Sequence, residues 1–178
     1  MVHMNLILML DTHAATLSEK WKEKVMKTAC MKHYHDSFDK VIMRNENVYR
    51  MLSKWMQKES SKTEIGAFFV SIGQERFRMG FPLSEVNYAL FLTKRVVRDH
   101  LMESAVLDSS LAISQAMDIS MEINDFFFLG SFYLIKGYLE EMYIALRDKE
   151  KLPPNVLDKY LFDDFFFKSH SLSPDDFR

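Results

Sequence analysis

Chain breakers are scarce in this sequence: five glycines and four prolines in 178 residues leave few places to turn. Many short strands would need more punctuation than this, so long helices are expected. Cysteine is nearly absent. The single Cys30 excludes an intramolecular disulfide framework and a cysteine-rich zinc site, and it fits a reducing, cytoplasmic setting. A lone thiol of this kind is read as packed or incidental rather than reactive. Neither sign of charge is in excess, with a net charge of -2. A general binder of nucleic acid would carry a basic stripe against the phosphates, so none is expected here. Long apolar runs are missing too. None reaches the roughly 18 residues that span a bilayer, and the run at 4–10 has no basic residue ahead of it and no clear cleavage site after it.

Catalytic signatures are equally thin. No H-E-x-x-H spacing, glycine-rich phosphate loop or nucleophile elbow occurs. His33 and His35 are two apart and would suit a metal only from a loop. The histidines also lack the sequence context of phosphotransfer helices. Catalysis is therefore not expected. His100, within a helical pattern, leaves haem as an alternative cofactor; otherwise none is implied.

What the chain does have is oil. Hydrophobic residues make up 48% of it, with 13 Met and 15 Phe, enough to bury a sizeable core. A methionine-rich interior would tolerate repacking. Helical periodicity predicts a first helix over about 5–31, with a possible break at 11–15 and Thr16 or Ser18 as a second cap. A second helix follows over 37–59, then a corner at 60–63 with Thr63 as N-cap. The third covers 64–79, where Gly80-Phe81-Pro82 stops it through a left-handed glycine and a residue that cannot continue the ladder. A fourth reaches about 104. The fifth begins after Asp108-Ser109 and extends to about 149. It is apolar almost all round at 126–135, which predicts burial on several sides. Period-two alternation is lacking, so the fold class is all-α: a bundle of four to five long helices with a short C-terminal helix. Residues 1–152 form the bundle. Residues 153–178 form an aromatic tail whose helix covers about 155–168.

Several residues break the expected chemistry of their positions. Gly66 and Gly73 are seven apart on the third helix, and Gly130 and Gly137 seven apart on the fifth. Mid-helix glycine costs about 1 kcal/mol against alanine, so these pairs mark faces where a second backbone approaches, or the floor of a pocket. Arg76 continues the apolar stripe Ile65, Phe68, Phe69, Ile72 and should be buried. A buried guanidinium needs a carboxylate, and Glu85, Glu122, Asp125 and Glu140 are the candidates; truncating Arg76 would then strand one of them. The functional reading of Arg76 is an anion contact or a ligand-sensing pair. Arg95 and Tyr133 complete the candidate ligand or packing set.

The stretch Ile72-Gly73-Gln74-Glu75-Arg76-Phe77-Arg78-Met79-Gly80-Phe81-Pro82-Leu83-Ser84-Glu85-Val86, continuing through Leu90, Leu92, Arg95 and Val96-Val97, resembles a known family. That family is the N-terminal helical domain of stressosome RsbT co-antagonist proteins, found also at the head of some bacterial sensor histidine kinases. Gly73, Arg76, Gly80, Pro82 and Leu83 meet its pattern, and Trp21 and Gly137-Tyr138 resemble its landmarks, so the likeness covers about 17–146. It implies a sensory input domain that binds a ligand or partner protein and biases an attached output module. The chain departs from the family where no kinase, STAS or DNA-binding module follows Pro153, and in its aromatic tail. The expected function is a non-catalytic, cytoplasmic sensory or regulatory domain, a homodimer through its last helix. A haem-type sensor and a scaffold without small ligand are the alternatives.

Overall fold

The computed structural model describes residues 2–104, 110–153 and 155–157. These residues hold seven helices and no strand: α1 (Val2–Thr12), α2 (Ala14–Met26), α3 (Lys32–His35), α4 (Phe38–Met56), α5 (Lys62–Arg78), α6 (Leu83–Ser104) and α7 (Ser110–Asp148), with a helical turn at 155–157. The rest of the expected tail helix lies outside the described residues. None of these helices is long and apolar enough to cross a membrane.

The first predicted helix is broken at His13, inside the 11–15 window that its pattern suggested. Neither Thr16 nor Ser18 caps the restart: the N-cap is His13, without a side-chain bond. Ser18 is instead fully buried. The restart also ends at Met26 rather than near 31. From there to α4 the chain makes only the single turn of α3. The next start is capped by Ser61, not Thr63. Glu64 N–H donates to Ser61 Oγ (3.2 Å) and Ser61 N–H donates to Glu64 Oε2 (2.7 Å), a complete capping box. At the other end of α5, Gly80 takes φ +77°. Gly80 N–H reaches the Phe77 carbonyl and Phe81 N–H the Arg76 carbonyl. Both bonds of the left-handed helix stop are thereby made.

Packing follows the stripes. α4 buries Phe38, Val41, Val48, Leu52 and Met56 along one face, and Trp21 of α2 meets Phe38 edge to face at 5.9 Å. α2 lies between α4 and α6, and α6 leads on to α7. The most extensive pairing is α5 with α7. The two helices run parallel, since Phe69 meets Gly130 while Gln74 and Arg78 further on reach Glu140 and Glu141. A Cβ on Gly73 would overlap the Leu134 carbonyl, and one on Gly137 would overlap the Val70 carbonyl. The glycines are thus close-packing residues: the two backbones touch.

Two expectations about the oil are corrected. The interior is built from Leu, Val, Ile and aromatic side chains; Met31 and Met56 are buried, whereas Met26, Met43, Met102, Met117 and Met121 are exposed. The all-apolar 126–135 segment is also not buried on every side. Phe126, Phe127 and Tyr133 face the core, while Phe128 is 73% exposed. A helix has two faces, and here both are apolar.

Candidate functional site

Arg76 stands at the last buried position of the α5 stripe and is 3% exposed. None of the carboxylates expected for it is its partner. Glu85 pairs with His33, Glu122 with Lys58, and Glu140 accepts from Gln74; Asp125 does not pair with Arg76. Instead Arg76 Nη1 donates to Glu75 Oε1 at 2.8 Å, and the other oxygen of that carboxylate accepts from Arg44 Nε at 2.7 Å. Two guanidinium groups thus share one carboxylate, which leaves the group net positive. Arg76 Nη1 also approaches Met79 Sδ (3.4 Å), and the guanidinium lies 5.7 Å above the Phe81 ring. Its Nε is buried and has no hydrogen-bond acceptor. A buried donor without an acceptor costs about 1–3 kcal/mol, so Arg76 is only partly satisfied: Nη1 is paired and Nε is not.

The surroundings are a cavity of about 40 Å³ in the centre of the bundle, walled by Trp21, Tyr34, Asn45, Phe69, Arg76 and Thr93 among others. That is room for a few water-sized groups. Its polar wall is a relay across three helices. Ser18 Oγ donates to Asn45 Oδ1 (2.8 Å), Asn45 Nδ2 to Thr93 Oγ1 (2.8 Å), and Thr93 Oγ1 to the Ala89 carbonyl (2.9 Å). Trp21 Nε1 donates to that same carbonyl at 3.0 Å. The relay fixes the amide of Asn45 beside the cavity, so the wall is pre-set. Tyr34 closes one side. Its ring packs against Phe81 (4.6 Å between centroids) and Trp21 (5.9 Å). Burial pushes its hydroxyl pKa up to about 12, although the Arg76 guanidinium beside it pulls the other way. Tyr34 is therefore a neutral phenol at any physiological pH.

Of the candidates named from sequence, only Arg76 lines this cavity. Gly73 and Gly137 hold α5 against α7 behind it. Gly130 lies over the Phe69 ring, where a Cβ would come within 2.6 Å. Gly66 is buried on α5. Tyr133 is buried with its ring edge-on to Phe132 at 5.1 Å. Arg95 points outward from α6, 3.9 Å from Asp99. His100 is half-buried, also away from the cavity, beside Lys20 and His13; burial, then Lys20, hold its pKa below the usual value. Cys30 is exposed rather than packed.

The residues missed were Tyr34, Arg44, Asn45, Glu75 and Thr93. Two of them had a signal. Asn45 occupies the stripe Val41, Asn45, Val48, Leu52, and Thr93 the stripe Ala89, Thr93, Val96, each a polar residue at a core position. Tyr34 had none, because it belongs to a single turn too short for periodicity.

Over residues 3–140 the sequence matches the family described as histidine kinase N terminal. No curated protein and no solved structure matches the chain.

Proposed function

The chain belongs to the histidine kinase N-terminal family, and on that premise we propose that it is a non-catalytic sensory input domain of bacterial signal transduction. The signal is a small ligand that presents an acceptor, an anionic or strongly polar oxygen, to Arg76 in the central cavity. The observation that carries this is the buried Arg76 Nε without an acceptor, beside one carboxylate serving two arginines. Unsatisfied buried donors are rare, and functional sites are where they are tolerated. The relay through Asn45 and Thr93 adds a pre-set wall, and Phe81 and Tyr34 supply apolar contact. A ligand biases the domain only by its preference for one packing over another, and here that preference lies at the junction of α4, α5 and α6. The finer likeness of the 73–83 stretch to stressosome RsbT co-antagonist proteins supports an attached or associated output module in the cytoplasm. The output contact is a homodimer along α7, supported by the outward apolar stripe on that helix.

Native mass spectrometry of the purified protein tests the reading. The expected result is a small molecule retained on the wild type and lost from Arg76→Met, with both proteins folded. Arg76→Met removes the charge but keeps an unbranched apolar stem. Removing one partner of a buried pair is costly when it strands the other charge, but Glu75 is partly exposed and stays paired with Arg44, so the thermal midpoint should move by no more than a few degrees. A ligand that stays on Arg76→Met, or a wild type that carries none from any expression host, would remove the cavity from the account.

A further inference from the structure

We propose that residues 27–37, the strap carrying α3, form a lid over the Arg76 cavity, and that the His33–Glu85 contact is its latch. The inference rests on the cavity being the ligand site, and adds how a ligand reaches it.

The strap is attached differently from every helix around it. Its backbone bonds are local: Thr28 N–H to the Val25 carbonyl, Met31 to Thr28, His35 to Met31 and Ser37 to Tyr34. Among the described residues its hydrogen bonds to the rest of the bundle come from side chains or a single amide: the Thr28 hydroxyl donates to the Lys24 carbonyl of α2 (2.8 Å), and the Tyr34 hydroxyl meets the Arg76 guanidinium. His33 N–H donates to Glu85 Oε2 (3.1 Å), His33 Nδ1 lies 2.8 Å from Glu85 Oε1, and His35 Nε2 lies 3.0 Å from the Val25 carbonyl. Two inward side chains, Met31 and Tyr34, do the apolar anchoring. A segment with few long-range bonds opens locally at lower free energy than the helices it covers.

What the strap covers is the reason to call it a lid. Tyr34 is part of the cavity wall, and its ring packs on Phe81, over which the Arg76 guanidinium sits. Withdrawing Tyr34 uncovers Arg76. Glu85 is placed by the first turn of α6 and is itself buried, while the His33 side chain is about half exposed. The latch therefore has a fixed inner half and a releasable outer half. Phe81 joins the strap to the α5–α6 turn, and its carbonyl is held by the Tyr138 hydroxyl of α7 at 2.7 Å. The strap is thus in contact, through Phe81, with the long helix.

Hydrogen exchange read by mass spectrometry on the full chain tests this without any ligand, so a failed lid and a failed ligand site are told apart. Glu85→Ala removes both contacts and should speed exchange of amides in 28–37 about tenfold; His33→Ala, which keeps the backbone N–H contact to Glu85, should speed it less, and the double variant should be no faster than Glu85→Ala alone, as for two halves of one latch. Exchange in the buried part of α7 should stay at the wild-type rate. In a Trp55→Phe background, acrylamide quenching of Trp21 should rise in the same variants. Unchanged exchange in 28–37, additive effects, or an acceleration shared equally by α4 and α7 would each overturn the lid.

Discussion

At the scale of single residues, Arg76 shows why a buried charge need not be there for stability. Its one carboxylate partner is shared with Arg44, so truncating Arg76 leaves Glu75 paired, contrary to the expectation from sequence that a carboxylate would be stranded. The cost of keeping the charge falls on Arg76 itself, whose buried Nε has no acceptor. Tyr34 makes a separate prediction through its proton. Its folded pKa, about 12, lies above the ordinary tyrosine value of 10.0, so the native state holds the proton more tightly than the unfolded chain. That stability is complete below pH 10 and is lost as pH rises from 10 towards 12. Two pH units correspond to roughly 2.7 kcal/mol at most. Tyr49, also buried, is raised in the same direction by burial, so alkaline weakening has two sources. Urea midpoints measured at pH 9 and pH 11 should differ clearly in the wild type and less in Tyr34→Phe. An equal difference in both proteins would mean that Tyr34 ionises as if exposed.

At the scale of elements, α5 and α7 set the geometry on which the cavity depends. Gly73→Ala forces a methyl group into the Leu134 carbonyl and within 2.7 Å of the Tyr138 amide nitrogen. Backbone cannot move aside as a side chain can, so the expected loss is about 3 kcal/mol. Gly130→Ala meets only the Phe69 ring, which can tilt, so its loss should be about half as large. Chemical denaturation of the two variants checks the order, and equal losses would mean that α5 and α7 separate to relieve the clash.

These helices were also where the sequence was most legible. The α5 stop at Gly80 could be read because a glycine and a proline mark it. The end of α4 could not. Lys58 takes φ 59°, the conformation usually left to glycine, so nothing in the residue type announced a stop and the helix was expected to continue to 59. The strap had no signature either: a one-turn helix cannot show a period, and Tyr34 reaches the cavity only through tertiary packing. Arg76 was legible as a buried charge, but its partner was not, because stripe spacing does not say which way a neighbouring glutamate turns.

At the scale of the whole molecule, α7 carries more apolar surface than one bundle can cover. Its 39 residues extend roughly 58 Å. One face buries Ile119, Ile123, Phe126, Tyr133 and Leu134, and the opposite face presents Ile113, Met117, Met121, Phe128 and Phe132 to solvent. These outer positions are spaced by 4, 4, 7 and 4 residues, the recurrence of a single helical face. Tyr88 and Phe91 on α6, stacked at 5.6 Å, add aromatic surface, and Phe91 lines a groove with Phe128. Monomeric proteins rarely leave so large a patch wet. A long stripe on one helix can pair with its own copy about a two-fold axis, each residue meeting its counterpart on the partner. Light scattering after size exclusion should therefore give twice the chain mass of 21.0 kDa. Phe128→Glu with Phe132→Glu would put four carboxylates into that interface, and the double variant should elute as a monomer with unchanged helical circular dichroism. A wild type that is already monomeric at tens of micromolar would assign the stripe to a different protein, and the signal would then leave the bundle through that contact instead.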